Sequence, residues 1–131
     1  MISVDTSVVV RHLIGSPPSE ARRATTLLEG SERVGLPVTV LVETAHVLRT
    51  QYGVGRGDVS EALLAVVTRE NIAVIGLGTD DTIEALVAAR SQPGWPIPDA
   101  LILYQARVAR ALPLYTFDAG MARYGIAVAT P

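Results

Sequence analysis

Five short apolar runs, each set apart from the next by stretches of helical periodicity, constrain this chain more than any other feature. They fall at Met1–Ser7, Val34–Val38, Asn71–Leu77, Pro113–Phe117 and Gly125–Val128. Strands joined through helices pair in parallel by right-handed crossovers, and a parallel sheet is covered on both faces. The expected fold is therefore α/β: a three-layer α/β/α sandwich around a central, mostly parallel five-stranded sheet. At 131 residues, one domain spanning 1–131 buries a sufficient core without disulfide or metal staples.

The helical stretches carry their own punctuation. Val8, Val9, Val10, Leu13 and Ile14 suit a short helix closed by Gly15. Ser16 as cap and Pro17 at the first helical position open a second, with Ala21, Ala24, Leu27 and Leu28 on one face and Gly30 at its end. The apolar run from Leu36 to Leu48 divides at Thr39, which is expected to cap a helix reaching Tyr52, broken by Gly53 and Gly55. Asp58 and Glu61 form a start like a capping box, and Thr79 caps a helix carrying Ile83, Leu86 and Val87. Pro98 opens a helix with Leu101, Tyr104, Val108 and Ala111 along one side. Asp118 starts a short helix before the last strand.

Composition narrows the chemistry. Cysteine is absent, which removes disulfides, thiolate zinc sites and a cysteine nucleophile. The N-terminus lacks a basic lead before a long apolar stretch, and no run approaches about 18 apolar residues. A soluble, cytoplasmic protein without membrane contact is expected. All 11 cations are arginine, which excludes lysine-dependent mechanisms and leaves the side chain best shaped for forked phosphate recognition. With 49% hydrophobic and only 18% charged residues, some apolar surface is expected to meet a partner.

Most of the 13 acids have a structural explanation: Glu20, Asp58, Glu61, Asp80, Asp81 and Glu84 fall in first helical turns, where the helix dipole favours negative charge. Asp5, Asp99 and Asp118 also begin helices, so each taken singly reads as a cap. Glu43 differs, because Val40, Leu41, Val42, Ala45, Val47 and Leu48 leave it little solvated face. A buried carboxylate requires a cation, a hydrogen-bond network or a metal, and a structural arginine is the plain alternative. His46 would complete only half of a Glu-x-x-His di-iron pattern, so it and His12 read as packing or support.

On the expected fold Asp5 ends the first strand, Glu43 follows the second, Asp118 follows the fourth, and Asp99 opens the helix leading into it. Ligands of open α/β sheets bind at the carboxyl ends of the strands. Four carboxylates crowded there are best relieved by divalent cations, and hard oxygen donors point to Mg2+ or Mn2+, one or two ions, rather than zinc. Such clusters serve phosphodiester cleavage by orienting a water and lowering its pKa.

The words that carry these acids, VDTS with Asp5, TVLVETAHVLR with Glu43, PDALI with Asp99 and TFDAGMARYG with Asp118, resemble a PIN domain of the VapC toxin type across essentially the whole chain. The resemblance implies a metal-dependent endoribonuclease, a small homodimer, and neutralisation by a cognate VapB-like antitoxin. It assigns Asp5, Glu43, Asp99 and Asp118 to the metal-binding, catalytic quartet, and Thr6, Ser7 and Thr116 to polar positions that orient metal or phosphate. The chain departs from the family at Ser7, where asparagine is frequent, and at Pro96 and Gly120, where further acids are common.

A receiver domain would need a paired acidic word and a lysine, and a haloacid-dehalogenase phosphatase would need a second acid two residues after Asp5. Neither is present. The alternative of another class is a catalytically silent PIN-fold module that binds RNA or protein. For RNA phosphates the candidate contacts are Arg11, Arg22, Arg23, Arg49 and Arg56. With one Trp, one Phe and four Tyr, recognition should rest on backbone and shape more than on stacked bases. An antitoxin tail placing an arginine among the acids, with its remainder in an apolar groove beside the first three helices, would compete with metal.

Overall fold

A computed structural model describes residues 1–131 and arranges five strands in one sheet of order β3-β2-β1-β4-β5, parallel at every pairing. The strands are β1 (Ile2–Val4), β2 (Val34–Pro37), β3 (Ile72–Ile75), β4 (Leu114–Tyr115) and β5 (Val128–Ala129). Between them run α1 (Thr6–Ile14), α2 (Pro18–Leu28), α3 (Val38–Thr50), α4 (Arg56–Val67), α5 (Thr79–Ser91) and α6 (Ile97–Val108), and a 3₁₀ helix, Ala119–Tyr124, joins β4 to β5. The α/β sandwich inferred from the alternation of runs is the observed class.

The chain steps outward from β1 to β2 to β3, then crosses back to β4 on the other side of β1. With right-handed crossovers this reversal puts α1 to α4 on one face and α5 with α6 on the other. It also leaves a switch point between β1 and β4, where the loops beyond the two strands diverge and open a crevice. Val4 pairs with Tyr115 there, and the amide of Asp5 continues the ladder by donating to the Tyr115 carbonyl at 2.9 Å.

Burial explains why β1 occupies the middle: Ile2, Ser3 and Val4 are all buried, and the Ser3 hydroxyl is satisfied by the Ala111 carbonyl. Val4, Leu36, Ile102, Leu103 and Leu114 are fully enclosed in the same core, each contributing about 1.5–3 kcal/mol by removal from water. In β2 the absence of a side chain at Gly35 allows close packing, since a Cβ there would lie 3.1 Å from both Ala111 Cβ and Ile75 Cδ1.

Several helix starts differ from those expected. The residues at the N-caps of α2, α3, α4, α5 and α6 are Pro17, Pro37, Gly55, Gly78 and Pro96, none with a side-chain cap bond. Thr39, Asp58 and Thr79 therefore lie inside first turns, and Ser16 precedes its cap. Prolines, with φ already fixed near the helical value, and flexible glycines set these entries where hydroxyl capping was expected. In α6 the fully buried side chains are Ala100, Ile102, Leu103, Gln105 and Ala106, whereas Val108 is exposed. A single-stripe reading fails because α6 lies between the sheet and α5 and is covered on two sides.

The outermost helix, α5, packs chiefly against α6 and buries only Ala85, leaving Ile83, Leu86 and Val87 exposed. No helix is long and apolar enough to cross a membrane.

Candidate active site

Asp5 is the point at which the sheet and the site meet. It caps α1, its Oδ1 accepting the Thr6 amide at 2.7 Å. Its Oδ2 accepts the Thr116 hydroxyl at 2.8 Å and the Ser7 hydroxyl at 3.3 Å. Only 7% of Asp5 is exposed, and this burial pushes its carboxyl above the ordinary value; the bonds from Thr116, Thr6 and Ser7 pull the other way, and the charge of Asp118 adds to the rise. Capping, one of the alternatives in the sequence, is observed, and the same carboxylate also lies in the charge neighbourhood of Asp118 and Asp99.

The hydroxyls form a small relay around it. Thr116 Oγ1 accepts the Asp118 amide at 2.9 Å while donating to Asp5, and Ser7 Oγ accepts the Phe117 amide at 3.0 Å. The turn after β4 is thus tied to the first turn of α1 across the switch point. Asp118 caps the 3₁₀ helix through Oδ1, which accepts the Gly120 amide at 2.9 Å. A Cβ at position 120 would come within 3.1 Å of that oxygen, so glycine gives this carboxylate room.

Glu43 is half-buried on α3 and bonded by the Thr6 hydroxyl, which donates to Oε1 at 2.7 Å. No arginine pairs with it; of the partners open to it in the sequence, a hydroxyl is the one present. His46, one turn on, is exposed and bonded to none of the acids, so it is neither packing nor support. His12 is half-buried with its Nδ1 2.8 Å from the Thr25 hydroxyl.

Asp99, in the first turn of α6, registers all the others. Its carboxyl is raised to about 6, first by burial and then by the charges of Asp5, Glu43 and Asp118, with Arg123 opposing. The four carboxylates therefore share one electrostatic neighbourhood, although no three of them close around a single point tightly enough to hold an ion as they stand. By donor chemistry they suit a hard divalent cation: all are oxygen ligands, two are desolvated, and repulsion is the charge effect that dominates at Asp99.

The expected cations divide. Arg11 stands beside the site, donating to the Ser7 carbonyl at 3.4 Å and lying 4.9 Å over the Phe117 ring, but its charge is paired with Glu20. Arg23 lies over the same ring, 5.4 Å from its centre, and donates to the Pro131 carbonyl. Arg22, Arg49 and Arg56 are exposed and bonded to no site residue. The cleft between α1 and α2 is lined mainly by polar side chains, His12, Arg22, Thr25 and Thr26 among them, while α3 carries exposed apolar side chains at Val38 and Val42. Arg123, outside the expected set, is the arginine whose charge acts on Asp99. Its signal in the sequence was weak: it lies five residues after Asp118, within the same word.

The profile of the PIN domain family matches residues 2–127. No curated protein matches the sequence. Among solved structures, Mycobacterium tuberculosis VapC20, a sarcin-ricin loop cleaving toxin, superposes with a TM-score of 0.81 at 20% identity, over 100% of both chains. A toxin–antitoxin complex from Klebsiella pneumoniae gives 0.72 at 23% identity, over 100% of this chain and 98% of that one. VapBC2 from Rickettsia felis, bound to a DNA fragment from its promoter, gives 0.72 at 18% identity, over 99% and 98%. At these identities the three are likenesses of fold.

Proposed function

This chain belongs to the PIN domain family, and on that footing we propose that it is a Mg2+- or Mn2+-dependent endoribonuclease, the toxin of a cytoplasmic toxin–antitoxin pair. The observation that carries the reading is the convergence of Asp5, Glu43 and Asp118 on Asp99, whose carboxyl they help to raise to about 6. An arrangement that holds four carboxylates together with no ion pair to any of them, only the charge of Arg123 opposing at Asp99, is a poor structural device, and a good receptor for a divalent cation.

In this proposal Asp5, Glu43, Asp99 and Asp118 hold the ion, which supplies an activated water and neutralises charge on the phosphate. The chain's own residues do the rest. Thr116 and Ser7 fix the orientation of Asp5 through Oδ2, and Thr6 holds Glu43 through Oε1, so that two ligands on different elements keep their rotamers. Asp118 is the exposed member of the four and so the one most open to an approaching strand. Asp5 itself is buried away from bulk water.

Two partners accompany this reading. A homodimer is supported by the exposed Ile83, Leu86 and Val87 on α5, a stripe at helical spacing with no cover of its own. An antitoxin is supported by the two likenesses to toxin–antitoxin assemblies, with the exposed Val38 and Val42 of α3 offering apolar contact.

The test is direct. The purified chain is incubated with structured RNAs, a sarcin–ricin-loop hairpin among them, in Mg2+ or in EDTA, beside Asp5→Asn and Asp99→Asn. Cleavage confined to wild type with Mg2+ is expected. Cleavage in EDTA, or at wild-type rate in both variants, overturns the metal-nuclease reading, and tight RNA binding without any cleavage identifies the silent module instead.

A further inference from the structure

Three of the 11 arginines are ion-paired: Arg11 with Glu20, Arg69 with Glu29 and Arg107 with Glu84. Arg123 is held in another way. Its Nη2 donates to the Gly94 carbonyl at 3.2 Å and to the Tyr124 hydroxyl at 2.5 Å, and its guanidinium lies 4.8 Å from the centre of the Tyr124 ring. Both acceptors are neutral, so the charge is oriented without being cancelled. Nε and Nη1 make no bond within the chain and keep their N–H donors free.

The mounting is rigid. Tyr124 is buried, stacks on Trp95 with ring centres 4.3 Å apart and planes 8° from parallel, and donates its own hydroxyl to Gly94 at 3.1 Å. Residues 92–96, which lead into the helix of Asp99, are thereby pinned to the 3₁₀ helix that Asp118 caps. Arg123 itself is exposed, and its charge reaches Asp99, where it opposes the three carboxylates.

A polyanion approaching four acids meets a repulsive field, and a fixed, uncancelled cation on their rim is what offsets it. We propose that Arg123 is a substrate-binding residue whose free Nε and Nη1 edge grips a phosphodiester oxygen of the RNA strand beside the linkage to be cut. A guanidinium already held by two acceptors and an aromatic face loses little freedom on binding, and its remaining donors present the fork that matches phosphate oxygens. The inference rests on the ribonuclease reading and adds to it the cation that the expected set left out.

The experiment measures binding of a fluorescein-labelled single-stranded RNA oligonucleotide by anisotropy, in EDTA so that no cleavage intervenes, across a salt series. Wild type, Arg123→Ala, Arg123→Lys, Tyr124→Phe and the exposed Arg90→Ala are compared after thermal melts establish that each is folded. Arg123→Ala is expected to weaken binding about tenfold or more and to lower the salt slope by about 0.7. Arg123→Lys should keep the slope while losing part of the affinity, and Arg90→Ala should change neither. An Arg123→Ala protein with unchanged affinity and slope, beside a wild type that cleaves RNA, overturns the inference alone. A loss of affinity with unchanged slope, reproduced by Tyr124→Phe, also overturns it by reducing Arg123 to a brace for the loop. A wild type that neither binds nor cleaves RNA overturns the ribonuclease reading and the inference with it.

Discussion

The hydroxyl of Thr116 donates to Asp5 Oδ2 across 2.8 Å, joining the ends of two adjacent parallel strands at the one place where their loops diverge. Thr116→Val keeps the shape and removes the donor, leaving a buried carboxylate oxygen with only the longer bond from Ser7. Stability should fall by about 1–3 kcal/mol in urea titrations, and RNA cleavage should drop at least tenfold. Unchanged values in both measurements would show the bond to be incidental.

Thr6 plays the same part for Glu43 from the opposite wall. In Thr6→Val the glutamate keeps its backbone position and loses its one side-chain partner. The expected outcome is weaker Mg2+ binding, read by calorimetry, with the melting temperature in EDTA nearly unchanged because Glu43 is half-exposed. Equal Mg2+ affinity in the two proteins would remove Thr6 from the site.

Asp99 sets a pH dependence whose sign is fixed by its carboxyl standing at about 6 against an ordinary 3.8. The folded protein holds a proton there that the unfolded chain has already released. The associated stability is fully present below about pH 4 and is lost as pH rises through about 6; Asp5 is shifted in the same direction. In EDTA, Asp99→Asn should therefore melt above wild type at neutral pH, the gap narrowing as pH falls toward 5. A gap that is constant with pH would refute this account of the charge crowding.

Trp95 anchors the segment before Asp99 by stacking on Tyr124, with a tilted contact to Tyr104 at 6.2 Å. Trp95→Ala should cost about 3–5 kcal/mol in denaturant titration, as for other large aromatic deletions, and Trp95→Phe distinctly less. A loss below about 1 kcal/mol for the alanine variant would mean that the stack is not part of the core.

The stripe on α5 gives a prediction about assembly. Leu86→Glu should convert a dimer to a monomer in light scattering without lowering the melting temperature of the monomer, because Leu86 is already exposed in a single chain. A wild type that is monomeric at all concentrations would remove the homodimer from the proposal.

What the sequence made legible was the order of elements, because strands and helices announce themselves by period, and the group of four acids, three through their places at strand or helix ends and Glu43 through its apolar neighbours within α3. Asp5 posed capping and a place among the acids as competing readings, but the two are compatible: the carboxylate that caps α1 through Oδ1 accepts the Thr116 hydroxyl through Oδ2. The partner of Glu43 was not readable, since Thr6 lies 37 positions away and only the packing of α1 beside α3 brings them together. Helix starts were misplaced wherever Pro37, Gly55, Gly78 or Pro96 stood ahead of a polar residue, because backbone restriction outweighed hydroxyl capping there. Arg123 escaped notice because its significance depends on Gly94, 29 positions earlier, and on the aromatic stack beneath it.

The position of β4 between β1 and β5 has a consequence for how the protein is made. Thr116 is 111 positions from Asp5, and the strand before it reaches its slot only after α5 and α6 have carried the chain back across the sheet. Contacts of such separation close late in folding, after the local helices have formed. Until then β1 presents an open edge on the side of β4, and its acid lacks the bond from Thr116. The proposed site is thus without its full set of supporting bonds until nearly every crossover is in place.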